Sequence, residues 1–125
     1  MNIRRNDPPR TFTVGRTIKH DIHDCAHIEL DHDEQVTFVT PAGAEYDVTR
    51  KSWGFYATPS LNGRLPRFGL RGVLVRNRLD QYFVLLVERS QETLFAQYVS
   101  REQLVVVSWL DDPGALAHLD PTLRA

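Results

Sequence analysis

The residues best equipped for chemistry sit close together early in the chain, in the run His20, His23, Cys25, His27, Glu29 and His32. In an extended strand alternate side chains share a face, so His23, Cys25, His27 and Glu29 point one way. Imidazole, thiolate and carboxylate are competent ligands for zinc or iron. His23, His27 and Glu29 are also the candidates for acid–base catalysis. The spacing argues against a metal. Ligands two apart on one strand lie about 6–7 Å apart and need a second strand to close the shell. No His-x-His followed by Glu is present, and the remaining histidine, His118, lies near the C-terminal end. No metal is therefore expected. The plainer account of the run is a solvated polar face opposite Ala26, Ile28 and Leu30. Cys25 could act as a nucleophile with His23 or His27 beside it, but no oxyanion-hole motif accompanies it. A lone cysteine is more often a small, partly buried side chain.

A second group of candidates follows from how charge is sorted. From His20 to Asp47 there are eight acids and no Lys or Arg; from Val48 to Leu79 there are seven bases and no Asp or Glu. The basic block also holds Trp53, Phe55, Tyr56, Asn62, Phe68 and four of the seven glycines. Guanidinium forks bind carboxylate or phosphate, and aromatic faces stack on flat ligands. Arg64, Arg67 and Arg71 are the expected anion contacts. Asn62 is expected to orient the ligand, and Trp53 and Tyr56 to supply stacking surface. The alternative is structural: the aromatics belong to the core and the arginines pair with the acidic block.

The elements that must position these residues read mainly as strands. Residues 1–11 are expected to be a flexible lead-in, with Asp7-Pro8-Pro9 interrupting regular structure. Strands are expected at Thr11–Thr17, Cys25–Leu30, Gln35–Thr40 and Glu45–Thr49, with a short one between Trp53 and Ala57. Leu70–Arg76 and Gln81–Glu88 form the clearest strand pair, joined by Asn77-Arg78-Leu79-Asp80. Leu94, Phe95, Tyr98 and Val99 then switch to helical spacing, and Ser90 can cap that helix. Leu104–Leu110 returns to strand, and 112–125 reads as a tail. The sum is a single globular domain over 12–111. Its fold class is mainly β, a small antiparallel sandwich or barrel with one late α-helix; the alternative is α+β.

Composition sets limits on function. At 125 residues and a net charge of -1, the chain has one domain's length and no global pull toward nucleic acid or an anionic membrane. Its single cysteine makes no intramolecular disulfide, and Met1–Arg10 lacks the apolar core of a signal peptide, so the expected address is the cytoplasm. No phosphate loop, dinucleotide fingerprint, serine elbow or paired-cysteine motif is present, and no cofactor is expected.

The string Trp53-Gly54-Phe55-Tyr56-Ala57-Thr58-Pro59-Ser60-Leu61-Asn62-Gly63-Arg64-Leu65 resembles a family of small uncharacterised bacterial proteins associated with gene clusters for surface-polysaccharide and sugar biosynthesis. The likeness extends over about Val36 to Asp111. It implies a context, an accessory role in sugar or polysaccharide metabolism, and no chemistry. The leading expectation is thus a small cytoplasmic binding or accessory protein for an anionic or sugar-like small molecule. One rival is a cupin-like sugar isomerase, epimerase or lyase using His23, His27 and Glu29. The other is a protein-interaction module acting as a homodimer through an exposed strand edge.

Overall fold

The computed structural model describes residues 1–16 and 18–122. Its elements run β1 (Asn2–Val14), β2 (His20–Glu29), β3 (Gln35–Val39), β4 (Glu45–Lys51), β5 (Gly54–Ala57), α1 (Arg64–Arg67), β6 (Leu70–Arg76), β7 (Tyr82–Glu88), α2 (Glu92–Glu102), β8 (Val105–Trp109) and α3 (Pro113–Leu119). The protein is mainly β with a late helix, as its dense strand spacing predicts. The strands divide into three antiparallel sheets: the hairpin β1–β2, the meander β3–β4–β5, and a sheet in the order β7–β6–β8.

β6 is the organising strand. Leu70, Val73 and Val75 are buried on it. Because alternate residues face opposite ways, it feeds two apolar clusters. On one side Val73, Val75 and Val87 are joined by Leu85, Phe95, Leu104 and Trp109, which brings α2 against the sheet. On the other side Leu70 packs with Leu65 of α1 and with Ala44, Tyr46 and Leu86. Gly72 lies between; a Cβ there would meet Leu61 Cδ2 at 3.1 Å, so its absence lets the turn before α1 close onto the sheet. Toward its C-terminal end β7 is therefore covered on both faces. Toward its start it is not: Tyr82, Phe83 and Val84 are exposed.

The β1–β2 hairpin departs from expectation. The strand does not begin at Thr11. Asn2 to Arg5 pair with Glu29 to Ala26, and pairing resumes from Arg10 opposite Asp24. The intervening residues, including Pro8 and Pro9, form a bulge, where a missing amide costs no ladder bond. Asn6 Nδ2 closes the bulge by donating to the Asp24 carbonyl at 2.8 Å. The segment expected to be a flexible lead-in is thus the greater part of a strand. Thr17, read as the end of that strand, lies outside the described residues.

The later elements follow the reading closely. α2 starts at Glu92 after a 3-10 turn at Arg89–Gln91, and no side chain caps it, so Ser90 does not serve as expected. Within the tail, α3 is capped by Asp112, whose Oδ2 accepts from the Ala115 amide at 2.9 Å; residues 123–125 lie outside the described residues. Among the described residues no helix is long and apolar enough to cross a membrane.

Candidate functional site

The arginine–aromatic block is taken apart by the fold. Arg64, the first residue of α1, donates through Nη2 to Asp47 Oδ2 at 2.8 Å and to Thr58 Oγ1 at 2.7 Å. Asp47, on β4, also accepts from Thr37 Oγ1 at 2.8 Å, so one carboxylate ties together β3, β4 and the chain beyond β5. Arg71 is held more firmly. Its Nε and Nη2 make a two-pronged contact with Asp111 at 2.8 and 2.9 Å, and its Nη1 reaches Glu92 at 2.8 Å. Its guanidinium lies 4.1 Å from the centre of the Trp109 ring, which in turn meets Phe95 edge-on at 5.7 Å. The Arg71 hydrogen bonds hold the Asp111 carboxyl below the ordinary aspartate range, and Asp111 reciprocally raises Arg71. Arg67, Asn62, Trp53 and Tyr56 are exposed. None of these six residues lines the cleft of about 850 Å³ described below. Two of the three expected anion contacts already hold carboxylates.

His23, His27 and Glu29 lie on β2 without a second set of ligands, and no core backs them: Ile28 is exposed, and Ala26 and Leu30 are only half-buried, as is His27 itself. Opposite His23, His27 and Glu29 the paired strand presents Thr11, Arg4 and Asn2. His23 Nδ1 lies 3.4 Å from Thr11 Oγ1, and the Cys25 thiol points back to the His23 carbonyl at 3.4 Å. His27 Nε2 sits 3.2 Å from Arg10 Nη2. A guanidinium only donates, so Nε2 accepts and the ring proton is on Nδ1, which is buried without a partner. Arg10 also pairs with Asp24 and draws its carboxyl below the usual range. The lone pair His27 would offer a metal is thus already engaged. Among the described residues no group of three or more His, Cys, Asp or Glu is placed to hold a metal ion.

A cleft of about 850 Å³ lies between the tip of the β1–β2 hairpin and the β7–β6–β8 sheet. Val14 and Ile22 wall it on the hairpin side, and Val75, Phe83, Leu85 and Tyr98 on the body side. Arg16, His20, Arg78 and Glu102 supply its polar groups. Gly15 makes the tip possible. Its φ is +106°, and a Cβ there would stand 2.1 Å from the Ile18 carbonyl oxygen. The tight turn brings the Arg16 amide to Glu102 Oε2 at 2.9 Å and its guanidinium to Gln103 Oε1 at 2.6 Å. These bonds anchor the arm at its far end. The other oxygen of Glu102, Oε1, is shut off from solvent and has no partner.

Across the cleft the β6–β7 turn presents Arg78. Asn77 shapes that turn: its Oδ1 accepts from the Leu79 and Gln81 amides, each at 2.9 Å, and its Nδ2 donates to Gln81 Oε1 at 2.8 Å. Arg78 is exposed and lines the cleft. Sequence reasoning identified this turn as a connection but did not connect it with Gly15-Arg16 or Glu102. Only tertiary packing brings those three segments together. The chain matches no protein-family model, no curated protein and no solved structure.

Proposed function

We propose that the protein is a cytoplasmic accessory protein that binds a sugar carrying a phosphate or carboxylate group in the cleft beneath the β1–β2 hairpin. One observation carries the reading: a mostly apolar cleft of about 850 Å³ that is lined by Glu102 and rimmed by Arg16 and Arg78. A cleft of this size with a few convergent polar groups is where a small ligand is expected to bind. Phe83 and Tyr98 offer ring faces to the C–H face of a pyranose. The Glu102 carboxylate, which lines the cleft, takes a sugar hydroxyl. Arg78, with the outer edge of Arg16, holds the anionic group. The resemblance at Trp53–Leu65 supplies the metabolic setting.

The test is calorimetric titration with sugar phosphates, nucleotide sugars and hexuronates. Arg78→Ala is expected to weaken binding by about 1.5–3 kcal/mol, the range for a charge-assisted hydrogen bond. It should leave the melting temperature nearly unchanged, since Arg78 is exposed. Glu102→Gln should weaken the neutral sugar contacts and leave inorganic phosphate binding intact. Binding that survives both substitutions unchanged, or no binding by any of these ligands, refutes the site.

A further inference from the structure

The accessible surface of the chain is 9106 Å². A compact monomer of 14.4 kDa exposes about 6,800 Å², so the excess is about 2,300 Å². Exposed large apolar side chains are spread over the chain, and Tyr82, Phe83 and Val84 of β7 are among them. A sheet edge presents unpaired amides and carbonyls, and proteins blunt it with charge, proline, bulges or shortness. Five of the six sheet edges among the described residues carry such devices. β1 carries Arg4, Arg5, Arg10 and two prolines, and β2 carries Asp21, Asp24 and Glu29. β5 has four residues, and β8 is broken by a register shift opposite Leu74 and Val75. β3 has no charge of its own but is short, at five residues, and Pro41 follows it closely.

β7 has none of these protections. Its seven residues pair with β6 without interruption. From Tyr82 to Val87 it carries no charge, glycine or proline, and Glu88 at its end is its one charge. Tyr82 and Val84 are each 60 % exposed beside it. Along its open side, between β7 and α2, runs a groove of about 410 Å³ lined by Leu86, Leu94, Phe95 and Tyr98. An edge strand flanked by an apolar helix groove accepts an added strand.

The geometry points to a second copy of this chain as the occupant, with β7 pairing antiparallel to β7 of its partner. The result is a continuous six-stranded sheet, three strands from each copy. Two features favour self-pairing. Six of the seven residues of β7 are uncharged, so few like charges can be opposed when the strand meets itself. With the two-fold axis at Leu85, Glu88, the one charged residue of the strand, falls opposite Tyr82 of the partner subunit. The excess surface also far exceeds the roughly 800 Å² that each partner contributes to a standard interface. This inference does not depend on the ligand reading, because Tyr82 and Val84 lie outside the lining of the cleft.

The experiment combines sedimentation equilibrium with hydrogen exchange on the full chain, under reducing conditions because Cys25 is exposed. The wild type is expected at twice the chain mass, with the β7 amides that face away from β6 exchanging slowly. Val84→Lys places an unpaired charge in the interface, and dissociation should become easier by roughly 100-fold or more. The same amides should then exchange at the solvent rate. Circular dichroism checks that the variant is folded; if it is not, Tyr82→Lys, nearer the strand end, replaces it. A monomer at high concentration overturns the inference and leaves the cleft reading standing. So does a dimer with fast-exchanging β7 amides, a dimer that Val84→Lys leaves intact, or a complex whose second chain is a different polypeptide.

Discussion

Replacing Arg71 with Ala should destabilise the fold without touching ligand binding. Arg71 is one-quarter exposed and its main partner Asp111 only 15 % exposed, so solvent screens their contact incompletely. The two-pronged contact with Asp111 contributes about 1.5–3 kcal/mol, as hydrogen bonds to charged groups do. The Trp109 ring adds about 0.5–1 kcal/mol. Glu92 is 43 % exposed, and its pairing adds little. The expected loss is therefore roughly 2–4 kcal/mol, a large share of the 5–15 kcal/mol typical of a domain. At about 4 °C per kcal/mol for a chain of this length, the melting temperature should fall by roughly 8–16 °C. Urea unfolding of Arg71→Ala, Asp111→Ala and the double variant forms a cycle that isolates the pair. A coupling energy below about 0.5 kcal/mol, the level at which independent sites add, would refute the reasoning. Arg71 would then be a solvated arginine that only happens to lie near Asp111.

Three further outcomes are expected. Asp111 is held below the ordinary 3.8 by Arg71, so its folded form binds fewer protons than its unfolded form near that pH. Its contribution is present above about pH 4 and disappears as pH falls through the folded value; the gap in melting temperature between wild type and Arg71→Ala should narrow below that point. Gly15→Ala forces a left-handed backbone and a clash with Ile18, so amides of the hairpin tip should lose hydrogen-exchange protection while those of β6 keep theirs. Arg64→Ala removes the cation paired with Asp47, whose side chain is 13 % exposed, and leaves it its threonine partners; the loss should be about 1–3 kcal/mol in chemical denaturation, and calorimetry should show unchanged affinity for phosphate.

The sequence made the local structure readable where period and turn chemistry agree. β6, β7 and their connection follow from apolar runs around Asn77–Asp80, and α2 from the shift to helical spacing. β1 was hidden because Pro8 and Pro9 argue against a strand, and only pairing with β2 shows that they fall in a bulge. Charge sorting pointed toward Arg64 meeting Asp47, one partner from each block. It gave no sign of the partners of Arg71, since Glu92 and Asp111 lie beyond both blocks. The strand that carries His23, His27 and Glu29 was legible from alternation alone. What stands opposite it depended on register, and the register brought Thr11 and Arg4 rather than ligands. The cleft was invisible for a simpler reason: Arg16, Arg78 and Glu102 belong to no common segment.

The position of β6 between β7 and β8 also sets an order of events. β6 and β7 are joined by a short turn and can zip together early, whereas β8 must wait until the whole of α2 has been threaded past. Closing that longer loop comes late because its entropy is lost before any contact rewards it. The clamp of Arg71 on Glu92 and Asp111 spans the same late closure. Its bonds form after the rate-limiting barrier, so they govern how long the folded chain lasts rather than how fast it is reached. In stopped-flow measurements Arg71→Ala should steepen the loss on the unfolding limb and leave refolding almost unchanged. A slowed refolding limb would instead place the clamp in the nucleus.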